Sequence, residues 1–329
     1  MNERKVRWGI IGTARIAEKL IRGIQVSQNG ELLAIASRTE EKARAFAKQH
    51  DIPRAYGSYE ALLSDPEIEA VYNPLPNSLH GEWTIKAIEA GKPTLCEKPM
   101  ACNAAEAQQM IDAARSHNVL LMEAFMYRFH PQMIRLKEIL DQGAIGELRV
   151  IRTAFTFGLY DLNNVRLKKE LCGGAVMDVG CYCVNFSRYV AGSEPTEVFA
   201  VAHIGPKSGV DEMMAGTLIF SNGVVAQFDC SFRSAGRAFC EVVGSEGKID
   251  VPSPWVPGSV PGRLIVTRRG TSETIEAGVA DPYQLEVEHF GACILEGTPL
   301  FLPPEEGLKN MRVIDALYRS ARDGRPAAL

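Results

Sequence analysis

Two short segments hold side chains that could move a proton. Asp178 and Tyr182 lie four residues apart in the segment GGAVMDVGCYC, so on a helix they share one face. Lys98 follows the apolar segment PTLCE and is expected at the carboxyl end of a buried strand. An alcohol that loses a hydride must also lose its hydroxyl proton, and a tyrosine whose pKa is lowered by a nearby lysine can accept that proton. These residue types indicate alcohol oxidation; the alternatives are a helix-capping aspartate, a core tyrosine and a solvated lysine.

The hydride needs an acceptor, and the segment VRWGIIGTARIA indicates a dinucleotide. An apolar strand leads into Gly12, while the positions of the second and third glycines of a dinucleotide fingerprint hold Ala14 and Ala17. The methyl group of Ala14 is tolerated if its φ angle is negative. A glycine turn that only joins a strand to a helix is the alternative. The residues predicted to contact the dinucleotide here are Gly12, Thr13, Ala14, Arg15 and Ile16.

The choice of dinucleotide is expected where the second strand ends. There the segment ELLAIAS leads into Ser37 and Arg38. An arginine suits the 2'-phosphate of NADP, whereas an acidic side chain would bind the ribose hydroxyl of NAD. The sequence therefore favours NADP, with NAD as the alternative cofactor. The structural alternatives are a capping box between Ser37 and Glu40 and a solvated Arg38.

The pattern of elements predicts an α/β protein with two domains. In residues 1–124, apolar strands alternate with amphipathic helices, which is typical of a doubly wound parallel sheet, the Rossmann fold. Residues 125–329 contain consecutive extended segments, which predict an α+β domain with a largely antiparallel open sheet. Hairpin turns are expected at 221–223 and 245–247, and helices at 131–140, 283–295 and 304–323.

Composition limits the partners. The 329 residues carry a net charge of -4, which gives no overall attraction to nucleic acid or anionic membranes, so a small-molecule partner is expected. We find no signal peptide or membrane span, which predicts a cytoplasmic protein. The eight cysteines form no CxxC pair, so we expect mostly small buried side chains without disulfides. His130 and His289 lack partners at ligand spacing, and no metal site is predicted.

Five segments together resemble the Gfo/Idh/MocA family of oxidoreductases, which includes glucose-fructose oxidoreductase and inositol dehydrogenase. They are PLPNSLH (74–80), CEKPMA (96–101), EAFMYRFHPQ (123–132), GGAVMDVGCYCVNFSRY (173–189) and YQLEVEHF (283–290). The sequence is similar to the branch of NADP-linked D-xylose dehydrogenases, dimeric dihydrodiol dehydrogenases and glucose-fructose oxidoreductase. In that branch a tyrosine, here Tyr182, replaces the histidine of inositol dehydrogenases, and the pair Thr13-Ala14 is also typical of it.

The resemblance implies that Lys98 is catalytic and that the Lys98–Pro99 peptide bond is cis. Tyr182 would accept the proton, Lys98 would hydrogen-bond the reacting oxygen, and Asp178 would orient the substrate. Further cofactor contacts are expected from Pro76, Asn77, His80, Glu97 and Lys98, with a packing histidine as the alternative for His80. Aromatic faces and guanidinium groups suit sugars, so Tyr160, Arg166 and Tyr283 are candidate substrate contacts, together with Asp178 and Tyr182.

The expected function is NADP-dependent oxidation of a cyclic sugar, with oxidation of an aldose at C1 to its lactone favoured. Oxidation of a trans-dihydrodiol and reduction of a ketosugar are alternatives that use the same residues. A non-catalytic regulator that binds NADP is a third alternative, against which Lys98, Asp178 and Tyr182 argue. A homodimer or higher homo-oligomer is expected to form through the uncovered face of the C-terminal sheet.

Overall fold

The computed structural model describes residues 4–255 and 260–329. The α-helices are α1 Ala17–Val26, α2 Glu40–Gln49, α3 Tyr59–Leu63, α4 His80–Glu89, α5 Ala104–His117, α6 Pro131–Asp141, α7 Cys181–Ala191, α8 Pro282–Glu296 and α9 Pro304–Asp323. The strands are β1 Val6–Ile11, β2 Gly30–Ala36, β3 Arg54–Tyr56, β4 Ala70–Asn73, β5 Thr94–Glu97, β6 Leu121–Ala124, β7 Leu148–Thr156, β8 Pro195–Ile204, β9 Asp211–Phe220, β10 Val225–Ser231, β11 Arg237–Gly244, β12 Gly247–Val251, β13 Arg263–Arg268, β14 Thr271–Glu276 and β15 Ala327–Ala328.

The chain divides into two compact units. The first unit contains Met1–Met126 and Asp281–Leu308, and the second contains Tyr127–Ala280 and Lys309–Leu329. The first boundary between the units follows Met126, two residues beyond the boundary at residue 124 that is expected from the sequence. The segment Asp281–Leu308 belongs to the first unit, although the sequence pattern groups it with the second domain.

The first unit is a parallel sheet with the strand order β3-β2-β1-β4-β5-β6. This is the Rossmann order, in which the direction of winding reverses between β1 and β4 and ligands bind beyond the carboxyl ends of the strands. Strand β1 is mainly apolar because both faces of the sheet are covered, and Trp8 and Ile10 are fully buried. The doubly wound parallel sheet predicted from the alternating pattern is therefore confirmed.

Helix α8 joins the first unit by packing against α1. At Gly23 on α1, a Cβ atom would lie 2.9 Å from the backbone carbonyl carbon of Tyr283, so a glycine is needed for this close approach. Phe290 on α8 is fully buried, and its ring lies 5.7 Å from that of Trp8 on β1. The apolar face of α8 thus completes the core of the Rossmann sheet.

The second unit is a mainly antiparallel sheet with the strand order β14-β13-β12-β11-β7-β10-β9-β8-β15. Strands β7 and β10 form a parallel pair, while the other neighbours are antiparallel. The two predicted hairpin turns join β9 to β10 and β11 to β12, and Gly223 has the positive φ of 82° that its turn requires. The predicted α+β domain is confirmed.

Within residues 4–255 and 260–329, no helix is long and apolar enough to cross a membrane. Six cysteines are free and buried, as expected: Cys96, Cys181, Cys183, Cys230, Cys240 and Cys293. The expectation that disulfides are absent is wrong for Cys102 and Cys172, which are disulfide-bonded.

Candidate active site

The glycine loop between β1 and α1 has a backbone that suits a dinucleotide. Gly12 has a φ of 106°, and a Cβ atom there would lie 2.7 Å from Leu75 Cδ2, so only glycine fits. Ala14 is not among the described residues with positive φ, so the condition on its methyl group is met. The first hydrogen bond of α1 runs from Ala17 N to Ala14 O at 2.9 Å. The N–H groups before Ala17 therefore lie at a helix N-terminus, where an anion binds favourably.

Ser37 and Arg38 lie directly beyond the end of β2. The backbone N–H of Ser37 donates to Tyr56 O at 3.0 Å, and the Arg38 side chain is exposed. Helix α2 is capped by Thr39, whose hydroxyl accepts from Lys42 N at 3.4 Å. The capping-box alternative for Ser37 is therefore wrong, because the helix begins too late for Ser37 to cap it. An exposed arginine at this strand end suits a 2'-phosphate.

Asn73 ties the loop after β4 to helix α4. Its amide Nδ2 donates to Thr84 Oγ1 at 3.0 Å, and its Oδ1 accepts from Leu75 N at 3.2 Å. A buried polar side chain is stable when it is hydrogen-bonded in this way, which explains an asparagine at the end of an apolar strand. Pro76 and Asn77 follow in the same loop and are half-buried.

His80 begins α4 and is buried between two backbone carbonyls. Its Nδ1 lies 2.8 Å from Pro99 O and its Nε2 lies 2.8 Å from Leu75 O. Burial, with a smaller effect from the charge of Lys98, lowers the pKa of His80 to about 4, so at neutral pH the ring donates to only one carbonyl. Because both ring nitrogens face protein atoms, the geometry favours the packing alternative for this side chain.

Lys98 lies immediately after β5, at the same edge of the sheet as the glycine loop. The preceding Glu97 is buried, and its carboxylate accepts hydrogen bonds from Tyr72 Oη at 2.6 Å and from Lys98 N at 3.2 Å. The Lys98–Pro99 peptide bond is cis, as the resemblance implies. The buried Glu97 thus fixes the backbone from which the half-buried Lys98 side chain extends.

Tyr283 lies in the first unit, on α8. Burial and the negative charges of Glu97 and Glu286 raise its pKa. The structure therefore places Tyr283 near Glu97, in a different unit from Tyr160 and Arg166, with which the sequence analysis groups it.

In the second unit, Asp178 and Tyr182 lie on one continuous helical stretch, and Arg166 contacts Asp178 from the separate turn Val165–Leu167. Asp178 belongs to the π-helical segment Val176–Gly180, which continues directly into α7 with Tyr182 in its first turn. Arg166 Nε donates to Asp178 Oδ2 at 2.6 Å. A Cβ atom at Gly180 would lie 2.8 Å from Cys230 Sγ, so the glycine lets this segment pack closely on β10. π-Helical turns of this kind are frequent at functional sites.

Aromatic rings surround Tyr182, which is only 7% exposed. Its ring centroid lies 5.6 Å from that of Tyr127 and 5.5 Å from those of Phe155 and Trp255. These neighbours are not predicted from the sequence. Tyr127 is inside the EAFMYRFHPQ segment, but Trp255 lies in a loop whose sequence gives no sign of this contact.

Tyr160 is a surface residue. Its side chain is 72% exposed, and the Arg233 guanidinium lies 5.4 Å from its ring centroid. In the described part of the chain, no group of three or more His, Cys, Asp or Glu side chains could hold a metal ion. His130 caps α6, accepting from Gln132 N at 3.1 Å, and His289 accepts from Phe301 N at 2.9 Å.

The Rossmann strand order, the glycine loop and the lysine at a strand end define a dinucleotide-binding oxidoreductase. Residues 6–125 match a family model described as an oxidoreductase family with an NAD-binding Rossmann fold, and residues 133–250 match the GFO/IDH/MocA C-terminal domain. The chain belongs to the Gfo/Idh/MocA oxidoreductase family. It is an NAD(P)-dependent dehydrogenase that acts on CH–OH groups.

Curated relatives and a solved structure are similar over most of their length. The chain is 38% identical to D-xylose 1-dehydrogenase (NADP(+)) 2 of Haloferax volcanii, with coverage of 96% of this chain and 98% of the relative. It is 36% identical to trans-1,2-dihydrobenzene-1,2-diol dehydrogenase of Xenopus laevis, with coverage of 88% and 90%. The crystal structure of aldose-aldose oxidoreductase from Caulobacter crescentus superposes with a TM-score of 0.92 at 29% identity, covering 99% of this chain and 100% of that one.

Proposed function

We propose that this protein is an NADP-dependent sugar dehydrogenase that oxidises a cyclic aldose at C1 to its lactone. The observation that carries the proposal is the placement of Lys98, the glycine loop and Arg38 at one edge of the Rossmann sheet. The similarity to a D-xylose dehydrogenase and to an aldose oxidoreductase supports a sugar as the substrate.

The preference for NADP rests on the residues after β2. An exposed guanidinium can form a charge-assisted, bidentate contact with a 2'-phosphate. Ser37 holds the place where an acidic side chain would select the ribose hydroxyl of NAD. The cofactor proposed to bind the first unit is therefore NADP, with pyrophosphate at the N-terminus of α1 and the residues from Gly12 to Ile16 around it.

In the proposed reaction, the C1–H bond of the sugar breaks with both of its electrons as the C1 hydroxyl loses its proton. The nicotinamide, when bound, supplies the hydride acceptor. Tyr182 accepts the proton, while Lys98 hydrogen-bonds the reacting oxygen and favours the negative charge that develops there. Asp178, which Arg166 holds through its Nε–H, accepts a hydrogen bond from a substrate hydroxyl and orients the ring.

Oxidation of a trans-dihydrodiol is the second candidate function. The similarity to the Xenopus laevis dihydrodiol dehydrogenase favours it. It needs the same proton acceptor and the same hydride acceptor, so the two functions differ only in the shape of the bound alcohol. Reduction of a ketosugar would use these groups in the reverse direction.

The proposed enzyme forms a homodimer through the sheet of the second unit and works in the cytoplasm on the NADP pool. Strands β8 and β9 present exposed apolar side chains, among them Phe199, Val201, Met213 and Ile219. Cross-strand pairing of Val201 with Ala215 and of His203 with Met213 places these side chains beside one another on one face. Exposed apolar patches of this kind typically form protein–protein interfaces.

A substrate screen tests the proposed function. NADP reduction is measured with aldoses, polyols and trans-dihydrodiols, and NADPH oxidation is measured with ketosugars. The aldose proposal expects the highest kcat/KM with an aldose and NADP, and the same panel with NAD measures the cofactor preference. A higher kcat/KM with a dihydrodiol would replace the proposal by the second candidate. If no compound in the panel is turned over, the result would support the alternative of a non-catalytic regulator that binds NADP.

A further inference from the structure

The helix that carries Asp178 and Tyr182 begins at a buried carboxylate from a different element. Asp211 is the first residue of β9 and is 2% exposed. Its Oδ2 accepts a hydrogen bond from Val176 N at 2.8 Å, and its Oδ1 accepts one from Tyr318 Oη at 2.6 Å. Val176 is the first residue of the π-helical segment, so Asp211 satisfies a backbone donor that the helix leaves open.

The backbone that Asp211 approaches carries a glycine with a positive φ angle. Gly174 has a φ of 136°, and a Cβ atom there would lie 2.1 Å from Asp211 Oδ1 and 2.9 Å from Tyr318 Oη. No other residue type fits this position without moving the carboxylate. Gly174 also accepts a hydrogen bond from Asp178 N at 3.0 Å. The carboxylate therefore packs on the residue that starts the turn holding Asp178.

We propose that Asp211 is a positioning residue for the reaction: as a carboxylate, it fixes the first helical turn and so the direction of the Asp178 and Tyr182 side chains. Asp211 acts through the backbone of Val176 and does not act on the substrate. The effect of Asp211 on the reaction rests on the proposed function, whereas its effect on the start of the helix is independent of that function.

The surroundings of Asp211 make this contact sensitive to pH. The titratable groups that face Asp211 are Tyr318 on α9 and Cys230 on β10. Because the Asp211 side chain is buried, its pKa is raised to about 6, although its hydrogen bonds favour the charged form. Protonation turns one of its oxygens from an acceptor into a donor, so a hydrogen bond that this oxygen accepts is lost near pH 6.

NMR of protein labelled with 15N-valine tests the contact without any substrate. The Val176 amide is assigned by its loss in Val176→Ile. In the wild type, its chemical shift should change with an apparent pKa of about 6. Asp211→Asn should abolish that transition, and Tyr318→Phe should move it to higher pH because the carboxylate loses a donor. Asp229→Asn, a surface control on β10, should leave it unchanged. A Val176 amide that does not titrate between pH 4.5 and 8 in folded wild type, or that titrates in Asp211→Asn, would overturn the proposal.

Kinetics test the positioning role. Asp211→Asn should lower kcat by up to about 100-fold, because small displacements of catalytic groups have effects of this size. The dissociation constant for NADP should stay the same, and the acid limb of the kcat profile near pH 6 should disappear. An unchanged kcat and pH profile in Asp211→Asn would reduce Asp211 to a structural cap and contradict the proposal. If Asp211→Asn does not fold, Tyr318→Phe decides through the shift of the same acid limb. If no substrate is found, the proposed function fails, while the Val176 titration still decides the contact.

Discussion

Replacing Tyr182 with phenylalanine removes the hydroxyl group and keeps the aromatic ring, so the two contributions can be measured separately. The ring packs among Tyr127, Phe155 and Trp255 at centroid distances of 5.5–5.6 Å, and phenylalanine keeps all three contacts. The free energy of unfolding should therefore change by no more than about 1.5 kcal/mol, the contribution of one hydrogen bond. A general base contributes about 100- to 10,000-fold to the rate, or roughly 3 to 5 kcal/mol of activation free energy. We expect kcat to fall within that range.

The assay compares kcat with the best substrate of the screen in Tyr182→Phe, Tyr189→Phe and the wild type. Tyr189 lies on the same helix, and its hydroxyl donates to the backbone oxygen of Met133 at 3.2 Å, so Tyr189→Phe removes a structural hydroxyl. The control should keep kcat within about threefold. A loss below about tenfold in Tyr182→Phe would refute the assignment of the base and give the role to Lys98 or to water.

Three further changes test other parts of the account. Arg38→Ala should lower kcat/KM roughly 10- to 150-fold with NADP and only slightly with NAD. The control Lys48→Ala, on the exposed face of α2, should leave kcat/KM unchanged with both cofactors. Equal losses with both cofactors in Arg38→Ala would show that Arg38 does not bind the 2'-phosphate. The pKa of Asp211 is raised from 3.8 to about 6. Its contribution to the free energy of unfolding is therefore present at low pH and is lost as pH rises through 6. This contribution, about 3 kcal/mol, should appear in denaturant titrations as a pH-dependent difference between the wild type and Asp211→Asn. Val201→Lys should convert a dimer into monomers in sedimentation velocity, and an unchanged sedimentation coefficient would exclude this face as the interface.

The sequence predicts the elements that local patterns control. The alternation of apolar strands and amphipathic helices correctly predicts the Rossmann sheet, because a strand covered on both faces must be apolar along its length. The turns at 221–223 and 245–247 are predicted because small polar and glycine residues suit tight hairpins. The spacing of Asp178 and Tyr182 also places both on one helical stretch, although it does not predict the π-helical turn that holds Asp178.

The parts that the sequence did not predict depend on contacts between distant residues. Helix α8 looks like any amphipathic helix, and its place in the first unit depends on the fit of Tyr283 against Gly23. Asp211 looks like an ordinary strand-end residue until the fold brings it to Val176. In each case the sequence shows the residue type, and only the tertiary structure shows its partner.

The most direct test of the central claim is turnover and cofactor binding in Lys98→Ala. Lys98 lies after β5 at the edge of the sheet where ligands of this fold bind, so its loss should reduce kcat at least about 100-fold with every active substrate. NADP binding, followed by quenching of intrinsic fluorescence, should stay within about tenfold of the wild type, because the glycine loop and Arg38 remain. An unchanged kcat in Lys98→Ala, with NADP bound as tightly as in the wild type, would contradict the claim that Lys98 supports the chemistry.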